Sequence, residues 1–272
     1  MKKVTFFVFL LFQFSLHSQE LKHKGSFYFY WGYNREFYSK SDIRFTGKEY
    51  DFTLQNVHAN DRQSKLDADP YLHLNQLTIP QYNYRLGYFI NNKYSISMGF
   101  DHMKYVMNQY QTVKINGYIN GTSTQYDRIY SGENIELVPE FLEFEHTDGL
   151  NYINVELNRN EKILVHKKGI TLNIMMGAST GIIYPRTRVV LLNKSLHDQW
   201  HISGYGATIH TGINIEILKH FFVQDQIKVG YINMPSIVTT YFKQDRAKQQ
   251  FSFLQNNVVL GYRFRIGKTE SN

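Results

Sequence analysis

The stretch Phe144-Glu-His146-Thr-Asp148-Gly-Leu-Asn-Tyr152 holds the densest set of groups able to do chemistry. On an extended strand, residues two apart share a face, so His146, Asp148, Asn154 and Glu156 fall on one side. A histidine oriented by a carboxylate can serve as a general base, which makes His146, Asp148 and Glu156 candidate catalytic residues. The nearby hydroxyl, Thr147, falls on the opposite face, so a hydrogen-bonded rim network is the better reading. A second set is His197-Asp-Gln-Trp-His201. Two histidines four apart share a helix face and could ligate a metal. Spacing fixes no third ligand, so a solvated loop anchored by Trp200 is favoured, and no metal or cofactor is expected. The chain has no cysteine, which excludes disulfides, thiolate metal sites and cysteine nucleophiles.

The elements that must position these residues alternate apolar and polar side chains at the period of a strand. Eight segments do so: Ser26–Glu36, Thr78–Ile90, Tyr94–Val106, Asp148–Asn158, Gly169–Ile183, Tyr205–Ile217, Phe221–Ile232 and Ser252–Ile266. In Gly169–Ile183, for example, Ile170, Leu172, Ile174 and Met176 oppose Thr171, Asn173 and Gly177. Between the second and third lies only Asn91-Asn92-Lys93, and between the sixth and seventh only Leu218-Lys219-His220; roughly ten residues around Arg159–Lys168 join the fourth and fifth. The connections 37–77, 107–147, 184–204 and 233–251 are long. Strict alternation of long and short links is the pattern of an up-and-down outer-membrane barrel, with short periplasmic turns and long extracellular loops.

Composition permits this. The 272 residues have a mean hydropathy of −0.41 and 16% aromatic residues, rich in Tyr and Phe. Beyond the N-terminus no apolar run is long enough for a membrane helix, whereas alternating barrel strands average to modest hydropathy. The polar faces carry Gly, Ser, Asn and Gln rather than the dense Lys/Glu cover of a soluble sheet. Lys2, Lys3 and the thirteen-residue run Val4–Leu16, followed by Ser18, form a secretory signal peptide cut after Ser18. Its removal leaves a formal charge of +5, too mild and scattered for nucleic acid. The expectation is a signal peptide over 1–18 and one outer-membrane domain over 19–272. That domain is an all-β antiparallel transmembrane barrel of eight strands, with ten the alternative. The alternative arises because Thr112–Ile119 and Glu136–Phe144 also alternate, and they read either as a further strand pair or as extensions beyond the bilayer. Lys40–Asp61 reads as an amphipathic hairpin (Ile43, Phe45, then Tyr50, Phe52, Leu54), with Asp51 and Asp61 open to a cation or partner.

Parity places Arg85, Asp101, Glu156, His210, Glu216, Lys228, Arg263 and Arg265 inside the barrel. Eight strands leave a lumen that side chains can fill, and buried charges of both signs must pair. An ionic plug is the structural reading, and a polar conduit for small solutes the functional one.

The C-terminal run Gly261-Tyr-Arg-Phe264-Arg-Ile266 resembles the β-signal read by the barrel-insertion machinery of Gram-negative outer membranes. It departs from that pattern in having Gly267–Asn272 after it and Val259 at a usually polar position. The mature chain is similar to small Gram-negative barrels of the OmpA and OmpX architecture, a resemblance that implies topology, outer-membrane lipid and the insertion machinery as partners, and no activity. The region around His146 also resembles, faintly, the His-x-Ser stretch of lipid A 3-O-deacylases. Asp148 stands where that family carries its nucleophilic serine. Function is therefore read first as structural or surface interaction through the extracellular loops with a ligand unknown, second as a porin-like channel, and third as a lipid acyl hydrolase.

Overall fold

The computed structural model describes residues 23–65, 67–73, 75–166 and 169–266. The expected signal peptide over 1–18, the expected mature start at Gln19 and the tail Gly267–Asn272 lie outside the described residues. Eight strands close into an antiparallel ring: β1 (Phe27–Tyr38), β5 (Tyr82–Phe89), β6 (Tyr94–Met107), β9 (Leu142–His166), β10 (Ile170–Leu191), β12 (Gly204–Ile217), β13 (Phe221–Val238) and β14 (Arg246–Phe264). Closure is by β14 against β1, with Phe264 opposite Phe27. Among the described residues no helix is long and apolar enough to cross a membrane; the crossing is by strands.

The register fixes the shape of the ring. A path along paired residues from Tyr28 runs through Gly87, Ser97, Glu156, Ser179, Thr208, Gly230 and Phe253, and returns to β1 at Tyr38, ten residues further along. That stagger tilts the strands steeply and holds the lumen to a width that side chains fill.

In the half of the ring nearest the short turns, alternation runs apolar outward and polar inward. Leu86, Met98, Val155, Ile174, Ile213, Ile227 and Leu260 are exposed, while Arg85, Ser97, Asn154, Asn173, Asn214, Gln226 and Asn257 are buried. A closed ring with an apolar outer belt and no free sheet edge is what a bilayer demands, since backbone polar groups there have no water to bond. Tyr88, Tyr94, Tyr205, Tyr231 and Tyr262 line the outside of the belt, where amphipathic rings suit the membrane–water boundary.

At the long-loop end, extracellular in barrels of this kind, the polarity inverts. Above one level around the ring the apolar residues switch to the inner face: Tyr231 points out and Ile232 in, Ile182 out and Ile183 in, Ile153 out and Tyr152 in, Leu254 out and Phe253 in. The switches on β9 and β10 are register partners, and those on β13 and β14 lie within two residues of register. Above them the first long loop folds into a hairpin, β2 (Ser41–Thr46) and β3 (Tyr50–Val57), and β2 takes over from β1 as the partner of β14. The second long loop adds β7 (Thr112–Ile119) and β8 (Arg128–Glu136), extending this sheet through β3. Two short strands, β4 (Ala59–Asn60) on β6 and β11 (His197–Trp200) on β10, complete the extracellular cap. A kinked turn at Ala68–Tyr71, with Asp69 outside helical angles, lies in the first loop.

The ring thus has eight strands, and Thr112–Ile119 belongs to the cap sheet rather than to a ninth crossing. Leu142–Phe144 prolongs β9, as the alternative reading of Glu136–Phe144 has it. The Lys40–Asp61 hairpin forms as its alternation requires. The connection expected across Arg159–Lys168 is mostly strand, because β9 runs to His166 and β10 begins at Ile170.

Candidate functional site

Inside the belt the charges meet in layers. At mid-lumen, Arg85 and Lys228 are fully buried with Asp101 and Glu156, two cations facing two carboxylates. Lys228 Nζ donates to Asp101 Oδ2 at 3.1 Å and stands 3.6 Å from Glu156. Arg85 spreads its fork over four groups: Tyr30 Oη at 2.8 Å, Ser97 Oγ at 3.1 Å, Asn154 Oδ1 at 2.8 Å and Glu156 Oε2 at 3.2 Å. Asn83 and Asn154 donate the remaining hydrogen bonds to Asp101, at 2.6 and 3.2 Å. Full pairing is what makes such burial tolerable, because an unpaired charge there costs several kcal/mol.

Local sequence makes the room. A Cβ at Gly99 would sit 2.5 Å from Arg85 Cζ, and one at Gly177 would sit 2.6 Å from His210 Nε2. Those glycines are notches for the polar side chains opposite. His210 Nε2 lies 2.6 Å from Asn158 Oδ1 and 3.6 Å from Glu156. Toward the periplasmic end, Arg263 makes a two-pronged contact with Glu216 at 2.6 and 3.0 Å, and His23 stands 3.4 Å from the same carboxylate. A small open vestibule lies beneath, lined by Tyr28, Phe89, Phe222 and Arg263 among others. It ends at Glu156, under the mid-lumen charges.

Arg265 is the exception among the lumen candidates. It lies past the end of β14, is exposed, and donates to the Lys24 carbonyl. The ladder ends at Phe264, so parity no longer sets the face of residue 265. Glu36 is the lumen carboxylate missed. It is buried between amides of Gln255, which donates at 2.7 Å, and Gln81. Its parity with Asn34 was the available signal.

The catalytic candidates separate. Between Leu150 and His146 strand β9 carries four steps where β6 has two, from Met103 to Tyr105, and Pro185 on β10 leaves no N–H for the ladder there. Thr147–Gly149 therefore bulges, with Gly149 at φ +146°. Asp148 is thrown outward to Arg186 at 3.0 Å. His146 turns into the cap core, its Nδ1 2.9 Å from Thr187 Oγ1, with both side chains inaccessible to solvent. Burial pushes His146 down to about 3, with His201 adding to the effect. Glu156 sits in the lumen among Arg85 and Lys228. The three are not one site, and the Thr187–His146 pair is sealed from any substrate.

His197 and His201 also part company. The segment is strand β11 followed by coil, so four-residue spacing does not align them. His197 is buried edge-on to Tyr241, with ring centroids 5.3 Å apart, and His201 Nε2 accepts from the Val238 N–H at 3.1 Å. Burial lowers both histidines. Among the described residues no group of three potential ligands has metal-binding geometry.

No protein-family model matches the chain, and no curated protein matches it in sequence. Solved outer-membrane barrels resemble it in fold. The outer membrane protein AlkL, determined in lipid bilayers, is 8% identical, with 96% of this chain and 100% of that one covered and a TM-score of 0.39. OprG from Pseudomonas aeruginosa is 9% identical, with 90% and 98% covered and a TM-score of 0.37. Ail, the attachment invasion locus protein of Yersinia pestis, is 10% identical, with 89% and 99% covered and a TM-score of 0.31. The chain has the eight-stranded antiparallel architecture of a small outer-membrane barrel.

Above the charges sits the cap core. Ile43, Phe45, Phe52, Tyr105, Phe144 and Phe251 belong to one buried apolar cluster that spans the extracellular mouth. Its outer face is polar, with Arg44 and Asp51 paired at 2.7 Å across the β2–β3 hairpin. Tyr118 and Ile129, register partners on β7 and β8, are exposed on the same sheet.

Proposed function

We propose that this outer-membrane barrel works by presenting its extracellular cap to a partner outside the cell. The observation that carries the reading is a lumen blocked twice, by the Arg85–Asp101–Glu156–Lys228 cluster and by the cap core above it. Conduction needs a wet path past Arg85, Asp101, Lys228 and Arg263. Lipid hydrolysis needs an activated nucleophile at membrane depth, whereas His146 is enclosed in the cap. A rigid scaffold carrying its working residues in the connecting segments is the usual arrangement, and the fold by itself licenses no activity. In this reading the segment 1–18 directs export, and Gly261–Ile266 is the signal for insertion.

Planar-bilayer recording of the purified barrel tests it, with no steady conductance expected. Single-channel steps abolished by Lys228→Met would replace interaction with permeation. Release of fatty acid from lipid A or phospholipid, lost in a folded His146→Ala variant, would replace it with hydrolysis.

A further inference from the structure

The lipid-facing belt carries a polar pair set among aliphatic residues. Asp225 lies on the outward parity of β13 between Val223 and Ile227, with Ile213 and Val258 as its register partners on either side. All four are exposed aliphatics. Asn256, outward on β14 between Leu254 and Val258, donates from Nδ2 to Asp225 Oδ1 at 2.7 Å. Phe221 below and Tyr231 above bracket Asp225, so the pair sits within the belt rather than at its rim. The opposite wall is apolar throughout the same band, with Leu86, Met98, Val155 and Leu157 exposed there. The nearby outward Thr211 is satisfied by its own sheet, donating to the Met175 carbonyl at 3.0 Å.

One hydrogen bond leaves Asp225 and Asn256 short. The carboxyl's second oxygen, the second amide hydrogen of Asn256 and its carbonyl have no further partner among the described residues. In hydrocarbon such groups find no water, and polar side chains facing lipid are costly. The occupant of this face must therefore bring donors and acceptors to that depth. An acyl chain brings neither, and a crossing helix has spent its backbone groups internally.

We infer that the β13–β14 face is the seam of a symmetric dimer within the membrane, Asp225 of one copy accepting the spare Asn256 amide hydrogen of the other. A second copy inserted in the same direction carries the same donors and acceptors at the same depth. A two-fold axis along the membrane normal brings the two sets face to face, as an isologous contact requires. Ile213, Val223, Ile227 and Val258 around the pair are β-branched, so their side chains surrender little freedom on contact.

Because the chain contains no cysteine, a single introduced thiol reports its own position. Val258→Cys at the seam and Met98→Cys on the opposite wall are treated in intact outer membranes with a membrane-permeant bis-maleimide. A cross-linked dimer is expected from Val258→Cys and not from Met98→Cys. Adding Asp225→Val and Asn256→Val should lower its yield at least tenfold, while heat-modifiable gel mobility shows the barrel still folded. Asp225→Asn, which keeps the hydrogen-bonding shape, should retain more dimer than the double valine variant. Absence of the dimer, equal cross-linking from both walls, a product of another mass, or a yield indifferent to the double substitution would each overturn the inference.

Discussion

The belt and the cap are built from the same strands with opposite polarity. In the belt, β10 turns Ile174 to lipid and Asn173 to the lumen; a few residues on, the same strand turns Val189 and Leu191 inward. The belt is stabilised by lipid outside and by paired charges within, the cap by a conventional apolar core. A substitution of one kind should therefore act differently in the two regions. The largest effect is expected from Arg85→Leu, which strips Glu156 of its closest cation and leaves three hydrogen-bond partners unserved. A loss of about 3–5 kcal/mol, read by urea unfolding in detergent, should appear in the whole barrel. Phe52→Ala removes a buried ring of the cap at a similar local cost of about 3–5 kcal/mol. It should open the cap to protease while leaving heat-modifiable mobility intact; loss of the barrel as well would mean that the two regions fold as one unit.

Next in size is the contrast on β10. Ile174→Arg places a cation in lipid at about 2–4 kcal/mol near the midplane. Asn173→Ala forfeits hydrogen bonds to Asn214 and Glu216, 3.3 and 3.0 Å long, at about 1 kcal/mol. Equal tolerance of both would sink the assignment of faces.

Acid sharpens the comparison further. His146 is held neutral in the folded cap, at about 3 against an ordinary 6.5, so between those values the unfolded chain binds the extra proton. Cap stability is full above about pH 6.5 and falls as the pH drops toward 3. His197 and His201, lowered by burial too, act in the same sense. Protease sensitivity of the cap measured against pH should rise through this window, and less in His146→Gln. The smallest effect is at the cap surface. Hydrogen bonds from Arg44 lower Asp51, so that pair contributes above the ordinary carboxylate range and is lost below it. Both groups are well exposed, and Asp51→Asn should cost no more than about 0.5 kcal/mol, decreasing with salt.

The eight crossings were legible because alternation over lipid and lumen leaves period two in the sequence. The cap hairpin at Ile43–Leu54 was legible for the same reason. The polarity inversion was written there as well, in adjacent apolar pairs such as Tyr231-Ile232, Ile182-Ile183 and Phe253-Leu254, where strict alternation breaks. Treating each segment as having one apolar face stopped β10 at Ile183, eight residues short of its end at Leu191. The lumen charges followed from parity as far as the ladder continued, and failed at Arg265 where it stops. The proposed catalytic set parted at the Thr147–Gly149 bulge, which turns Asp148 outward while His146 and Glu156 keep the inward face at different heights, in the cap and in the lumen. Asp225 and Asn256 stood in plain view, as interruptions in rows otherwise apolar.

The level at which the apolar residues change sides has a consequence for assembly. An ordinary barrel strand can slide by two residues past its neighbour and still show lipid and lumen the correct faces. Here such a slide would carry one strand's changeover above or below those beside it, exposing a Phe253 or an Ile183 to the wrong medium. The changeovers on β9, β10, β13 and β14 lie at nearly one level, like matched marks on a scale, so the chain encodes both its strand alignment and its depth in the bilayer.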